Sequence, residues 1–76
     1  MNKAKRQKLD IAADMLDRAK TIVEEVLENE QDSLNSIPEN LEYSDRAEAM
    51  EEAISNLESA IFSIEEAQEA VSEAQA

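Results

Sequence analysis

The chain contains no cysteine, histidine, glycine or tryptophan, and only one proline, one tyrosine and one phenylalanine. Without cysteine or histidine it has no disulfide, no thiolate nucleophile, no imidazole base and none of the usual zinc ligand sets. Without glycine it has neither a phosphate-cradling loop nor a glycine-bearing calcium loop. No apolar run approaches the ~20 residues that cross a bilayer. The basic N-terminal residues are not followed by the apolar stretch of a signal peptide, so the expectation is a cytoplasmic protein with no membrane association.

What remains is rich in good helix formers, chiefly Ala, Glu, Leu, Ile and Gln, which points to an all-α fold. At 76 residues the chain is a single domain. A core of this size rarely supplies more than ~3–5 kcal/mol, so self-association or a partner is expected to contribute. The strongest punctuation is Asn35-Ser36-Ile37-Pro38-Glu39-Asn40, because Pro38 cannot continue a helix and pushes Ile37 toward an extended conformation. Ser44 or Asp45 can cap the next helix, and Asp45 with Glu48 has capping-box spacing. The chain therefore divides into helix 1 over about 3–35, a loop over about 36–44 and helix 2 over about 45–75.

Helix 1 carries an apolar ladder of heptad spacing at Leu9, Ala12, Leu16, Ala19, Val23 and Val26. Helix 2 carries Met50, Leu57, Ile64 and Val71 beside a small row of Ala53, Ala60, Ala67 and Ala74. A fold-back near residue 40 pairs Leu9 with Val71, Leu16 with Ile64, Val23 with Leu57 and Val26 with Ile54, and sets Ala19 against Ile61. The prediction is an antiparallel two-helix hairpin with an alanine-rich coiled-coil seam. Its arms should be roughly 45 Å long at ~1.5 Å per residue.

The apolar surface is wider than one neighbouring helix covers. Leu27, Leu34, Ile54 and Ile61 flank one side of the seam, and Met15 and Ile22 the other. That surplus predicts a homodimeric four-helix bundle, with Met15, Ile22, Leu27, Ile54 and Ile61 as the face toward a second copy or a partner. Phe62 falls at an outward heptad position between Ser59 and Glu66, a candidate apolar anchor.

Charge is segregated along the chain. Lys3, Lys5, Arg6, Lys8, Arg18 and Lys20 lie in the first twenty positions and only Arg46 follows, against 19 carboxylates and a net charge of −12. In a hairpin Lys5, Arg6 and Lys8 come beside Glu69 and Glu73, matching the open end. The loop end has no such match. Its carboxylates, among them Glu25, Glu28, Asp32, Glu39, Glu42, Glu48, Glu51 and Glu52, form the candidate partner-binding face. Such a face repels nucleic acid and anionic lipid and complements a basic protein surface.

Catalysis is not expected. Ser33, Ser36 and Ser44 have no histidine to act as base, and paired carboxylates on a hairpin lack a desolvated cavity. Asp10, Asp14 and Asp17 share a helical face, but calcium takes six to eight oxygen ligands from a folded loop, and Asp14 is placed to pair with Arg18. No catalytic, cofactor-binding or metal-ligating residues are assigned.

The segments Ile37-Pro38-Glu39-Asn40-Leu41, Ser44-Asp45-Arg46 and Met50-Glu51-Glu52-Ala53-Ile54, spanning a little under half of the chain, resemble small uncharacterised acidic helical proteins encoded by bacteria and their phages. The resemblance brings no functional residues with it. It implies a context in which compact acidic proteins block host machinery, some by imitating the charge of DNA. The expected function is an acidic protein-binding module, an inhibitor docking on a basic, nucleic-acid-binding site of a host protein. The competing expectation is a homo-oligomeric assembly bundle whose acidity serves solubility.

Overall fold

The computed structural model describes residues 1–41 and 43–76. Two long helices, α1 (Lys3–Asn35) and α2 (Asp45–Ala74), pack against one another, joined by a connection that contains a 3₁₀ turn at Glu39–Leu41. The result is a rod of 60 × 14 × 13 Å with a radius of gyration of 17.4 Å. A compact domain of this length would have a radius near ~11 Å, so the hairpin is extended along one axis.

Helix ends are satisfied without glycine. Asn2 caps α1, its side-chain oxygen accepting from the Lys5 N–H at 2.8 Å. At the other end Ser36 stays in the right-handed region, its N–H donating to the carbonyls of Asp32 and Ser33 and its hydroxyl donating to the Asp32 carbonyl at 2.8 Å. The last turn thus tightens into 3₁₀ bonding, an alternative to the left-handed cap that glycine would supply. Among the described residues none takes positive φ. Pro38 then prevents continuation, and its carbonyl accepts from the Leu41 N–H at 2.8 Å.

Ser44 is the N-cap of α2, its hydroxyl accepting from the Ala47 N–H at 3.2 Å. The capping box expected from Asp45 and Glu48 is not the device used. With Ser44 at the cap, the third helical position is Ala47, which has no side chain to return the bond. Asp45 and Glu48 instead sit in the first turn, where the helix dipole favours negative charge.

The seam is lined by half-buried side chains: Leu9, Leu16, Val23, Leu27 and Leu34 from α1, with Met50, Ile54, Leu57, Ile61, Ile64 and Val71 from α2. Val26, assigned to the seam, is 44% exposed, and Leu27 and Leu34, assigned to its flank, are turned inward. An α-helix of 3.6 residues per turn drifts ~20° per heptad against a 3.5 repeat. The row through Ala12 and Ala19 therefore rotates out of the seam by residue 26, and the row through Leu27 and Leu34 rotates in. Ile54 and Ile61 are likewise part of the intramolecular contact.

Among the described residues only Ala47 is fully buried, and no large side chain is. The accessible surface is 5840 Å². A compact monomer of this mass would expose about 4,650 Å², so the hairpin leaves about 1,200 Å² more in water than its size requires.

Candidate functional site: the acidic loop end and the exposed apolar stripe

Two surfaces carry the chemistry of this molecule. The first is the loop end of the rod. Glu25, Glu28 and Asp32 come from the last three turns of α1, Glu39 from the 3₁₀ turn, and Glu48, Glu51 and Glu52 from the first two turns of α2; all are exposed. Glu42, expected to belong with them, lies outside the described residues. Glu30 behaves differently from its neighbours. It falls in the heptad row of Leu9, Leu16 and Val23 and is half-buried at the seam, so it is not part of the outward charge.

Arg46 is the single base in this region. It lines an open cleft of about 420 Å³ at the loop, together with Asp32, Ser36, Ile37, Leu41 and Ser44. Three serines line it: the Ser36 and Ser44 hydroxyls are engaged at the end of α1 and the start of α2, and Ser33 lies beside them. The cleft owes its shape to the capping of the two helices, and in a chain without histidine none of its serines has an imidazole base. Among the described residues no three carboxylates are grouped to hold a metal ion. Among the described residues no helix is long and apolar enough to cross a membrane.

Ion pairing does little to offset this charge. Among the described residues the one pair within 4 Å is Lys20–Glu65, at 3.3 Å near the middle of the rod. The expected matches of Lys5, Arg6 and Lys8 with Glu69 and Glu73, and of Asp14 with Arg18, are not within that distance. The reason is exposure: all these side chains are solvated, and holding two long side chains in one geometry costs about as much as the attraction returns in water.

The second surface is apolar. Ile11, Met15, Ile22 and Val26 are 56%, 65%, 60% and 44% exposed. They are spaced by four, seven and four residues, which sets them on one stripe of α1 roughly a quarter-turn from the seam. Met15 and Ile22 were expected at this flank; Ile11 was missed. The signal for it was present as the same four-residue step from Met15, but a reading that looked for a single seam did not follow a second stripe. Leu27, Ile54 and Ile61, expected on the outer face, are half-buried in the hairpin contact.

Phe62 is 63% exposed on the outer side of α2. Its helical neighbours at three and four residues are Glu58, Ser59, Glu65 and Glu66, so an aromatic ring stands within an acidic surface. Tyr43, at 88% exposure, and Leu41, at 49%, project from the connection and do not close the hydrophobic end as a lid would.

Comparison with known proteins returns no match to this chain from family models, curated proteins or solved structures.

Proposed function

We infer that this chain is a non-catalytic protein-binding module that docks its acidic loop end against a Lys/Arg-rich surface of another protein. The observation that carries this reading is the end-on concentration of carboxylates. Glu28, Asp32, Glu39, Glu48, Glu51 and Glu52 stand exposed at one tip of a 60 Å rod whose opposite end holds four of the seven bases, Lys3, Lys5, Arg6 and Lys8. Repulsion within such a cluster works against the free hairpin, and a cationic partner relieves it. A surface that normally binds nucleic acid is the natural complement, and the resemblance to acidic bacterial and phage proteins supplies a setting in which blocking such a surface is useful.

The test is capture of nucleic-acid-binding proteins from a bacterial lysate by the wild-type chain and by a variant with Glu28→Lys, Asp32→Lys, Glu48→Lys and Glu52→Lys. Captured proteins should elute with rising salt and be displaced by duplex DNA, since both compete for the same cations. Equal capture by the charge-reversed variant, with helicity intact, would overturn the reading.

A second reading is favoured by a separate observation. The near absence of fully buried side chains and the exposed stripe of Ile11, Met15, Ile22 and Val26 support pairing into a homodimeric four-helix bundle, an assembly role in which the carboxylates keep the particle soluble. Concentration-dependent solution mass tests it. A folded monomer at high micromolar concentration would remove it.

A further inference from the structure

We propose that the exposed apolar stripe of α1 is the contact surface for a second copy of this chain, packed head-to-tail so that the two acidic ends lie at opposite ends of the assembly. The proposal rests on the self-pairing reading and adds the face and the orientation.

The face follows from handedness and one ion pair. On α1, Ala12 and Ala19 lie between the seam and the exposed stripe; on α2 the corresponding edge of the seam is Ala53, Ala60 and Ala67, all half-buried. Lys20 and Glu65 belong to the other edges, beside Leu16 and Ile61, and their 3.3 Å contact joins those edges on one side of the hairpin. Both alanine edges therefore open on the opposite side, together with Ile11, Met15, Ile22 and Val26. On α2 that side continues through Ala49, Asn56, Ser63, Ala70 and Ala74, without a carboxylate from residue 53 to residue 74. On α1 the stripe also runs through Ala4, Lys8, Arg18, Asn29 and Ser33. In a chain with 19 carboxylates, this one side carries apolar, neutral and cationic residues.

The occupant follows from spacing, charge and area. The four-seven-four spacing reads the same in both directions, as a two-fold contact between antiparallel copies of α1 requires. Ile11 of one copy then meets Val26 of the other, and Met15 meets Ile22. The stripe centres between Arg18 and Ala19, and the alanine-lined side of α2 centres near the same level of the rod, so both helices of one hairpin match both helices of the other.

Charge selects the orientation. Residues 24–52 hold eleven carboxylates and one base; the rest of the chain holds eight carboxylates and six bases. Head-to-head pairing would stack the two acidic ends, whereas head-to-tail pairing sets Lys3, Lys5, Arg6 and Lys8 of one copy within about a Debye length (~8 Å) of the other copy's acidic end. One face of a rod 60 Å long and 14 Å wide projects about 840 Å², enough for the ~800 Å² per partner of an ordinary stable interface.

The test uses the absence of native cysteine to place one spin label per chain at Asn40→Cys. Light scattering should give twice the 8.5 kDa chain mass, and dipolar spectroscopy should give a label separation of roughly 60 Å, the length of the rod. Met15→Glu and Ile22→Glu should each return the mass to that of one chain while circular dichroism stays helical. Phe62→Glu, equally exposed on the outer side of α2, should leave the dimer intact. A label separation within about 20 Å, two spacings of packed helices at ~10 Å each, would overturn the orientation and leave self-pairing standing. A mass of one chain for the wild type would overturn both. A dimer insensitive to Met15→Glu and Ile22→Glu, or one broken by Phe62→Glu, would overturn the face.

Discussion

Replacing Ser44 with alanine should destabilise the hairpin more than any other change confined to the connection. The Ser44 hydroxyl is the acceptor for the Ala47 N–H at 3.2 Å, and Ala47 is fully buried. With the hydroxyl gone, water has poor access to that donor, and an N-cap serine replaced by alanine costs about 0.5–2 kcal/mol, typically ~1. Unfolding entropy of ~2.1 cal/mol/K per residue over this chain gives about 0.16 kcal/mol/K, so the loss lowers the melting temperature by ~6 °C. Asn2→Ala is the internal comparison. Asn2 makes a shorter bond to the Lys5 N–H, 2.8 Å, but at an exposed helix end where water replaces it, and its effect should stay within a few tenths of a kcal/mol. Ser44→Asn keeps a neutral cap and should recover most of the loss. The assay is thermal and urea unfolding followed by helical circular dichroism at one fixed protein concentration, because association shifts apparent stability. Equal effects of Ser44→Ala and Asn2→Ala, or no effect of either, would refute the claim that burial at Ala47 decides the cost.

Further outcomes follow from the same geometry. Lys20→Met should change stability by less than ~1 kcal/mol in either direction, because the ion pair is partly solvated while the lysine stem lies along the seam; a larger loss by urea titration would show that the pair is worth more than its exposure implies. In a Met15→Glu background, Leu27→Ala should cost about 1–2.5 kcal/mol, roughly half the range for a fully buried leucine, and Val26→Ala less than ~0.5 kcal/mol; the reverse order would restore Val26 to the seam. Raising sodium chloride from 20 to 500 mM should increase the melting temperature by a few degrees, since screening relieves repulsion at the loop end, and a decrease would mean that attractive pairs dominate. Phe62→Ala should leave the melting temperature unchanged and weaken partner capture about tenfold or more if the ring is an anchor, a result read directly from binding titrations.

The two packed helices were legible in the sequence because every signal agreed. The absence of glycine, a single proline at position 38, and apolar rows at heptad spacing on both sides of it leave no competing fold. The rotation of α1 within the seam was not legible. A strict heptad reading carries Val26 inward, but the straight helix drifts, and only the packed structure shows that the drift brings Leu27 and Leu34 into contact instead. The concentration of acid at the loop end was readable as a property of residue order. The salt bridges expected at the open end were not a safe reading, because solvated long side chains have no single geometry for sequence spacing to specify.

Charge and apolarity occupy different parts of the rod, and that separation makes the two functional readings independent in experiment. The carboxylates at the tip and Phe62 lie away from the stripe of Ile11, Met15, Ile22 and Val26. Substitutions in the two sets share few neighbours, and changes so placed should combine additively in stability to within ~0.5 kcal/mol. Charge reversal at the tip should therefore weaken partner capture in dimer and monomer alike. Met15→Glu should dissolve the dimer and leave one competent acidic end per chain. A head-to-tail dimer presents two such ends roughly 60 Å apart, so its advantage over the monomer should appear only with a partner that displays two basic sites at a matching distance. With an isolated basic domain as the partner, the dimer should bind no more tightly per acidic end than the Met15→Glu chain, because the other copy's Lys3, Lys5, Arg6 and Lys8 lie within about a Debye length (~8 Å) of that end. A loss of affinity in the Met15→Glu chain toward that single domain would mean that the apolar stripe itself contacts the partner, and the separation of roles would fail.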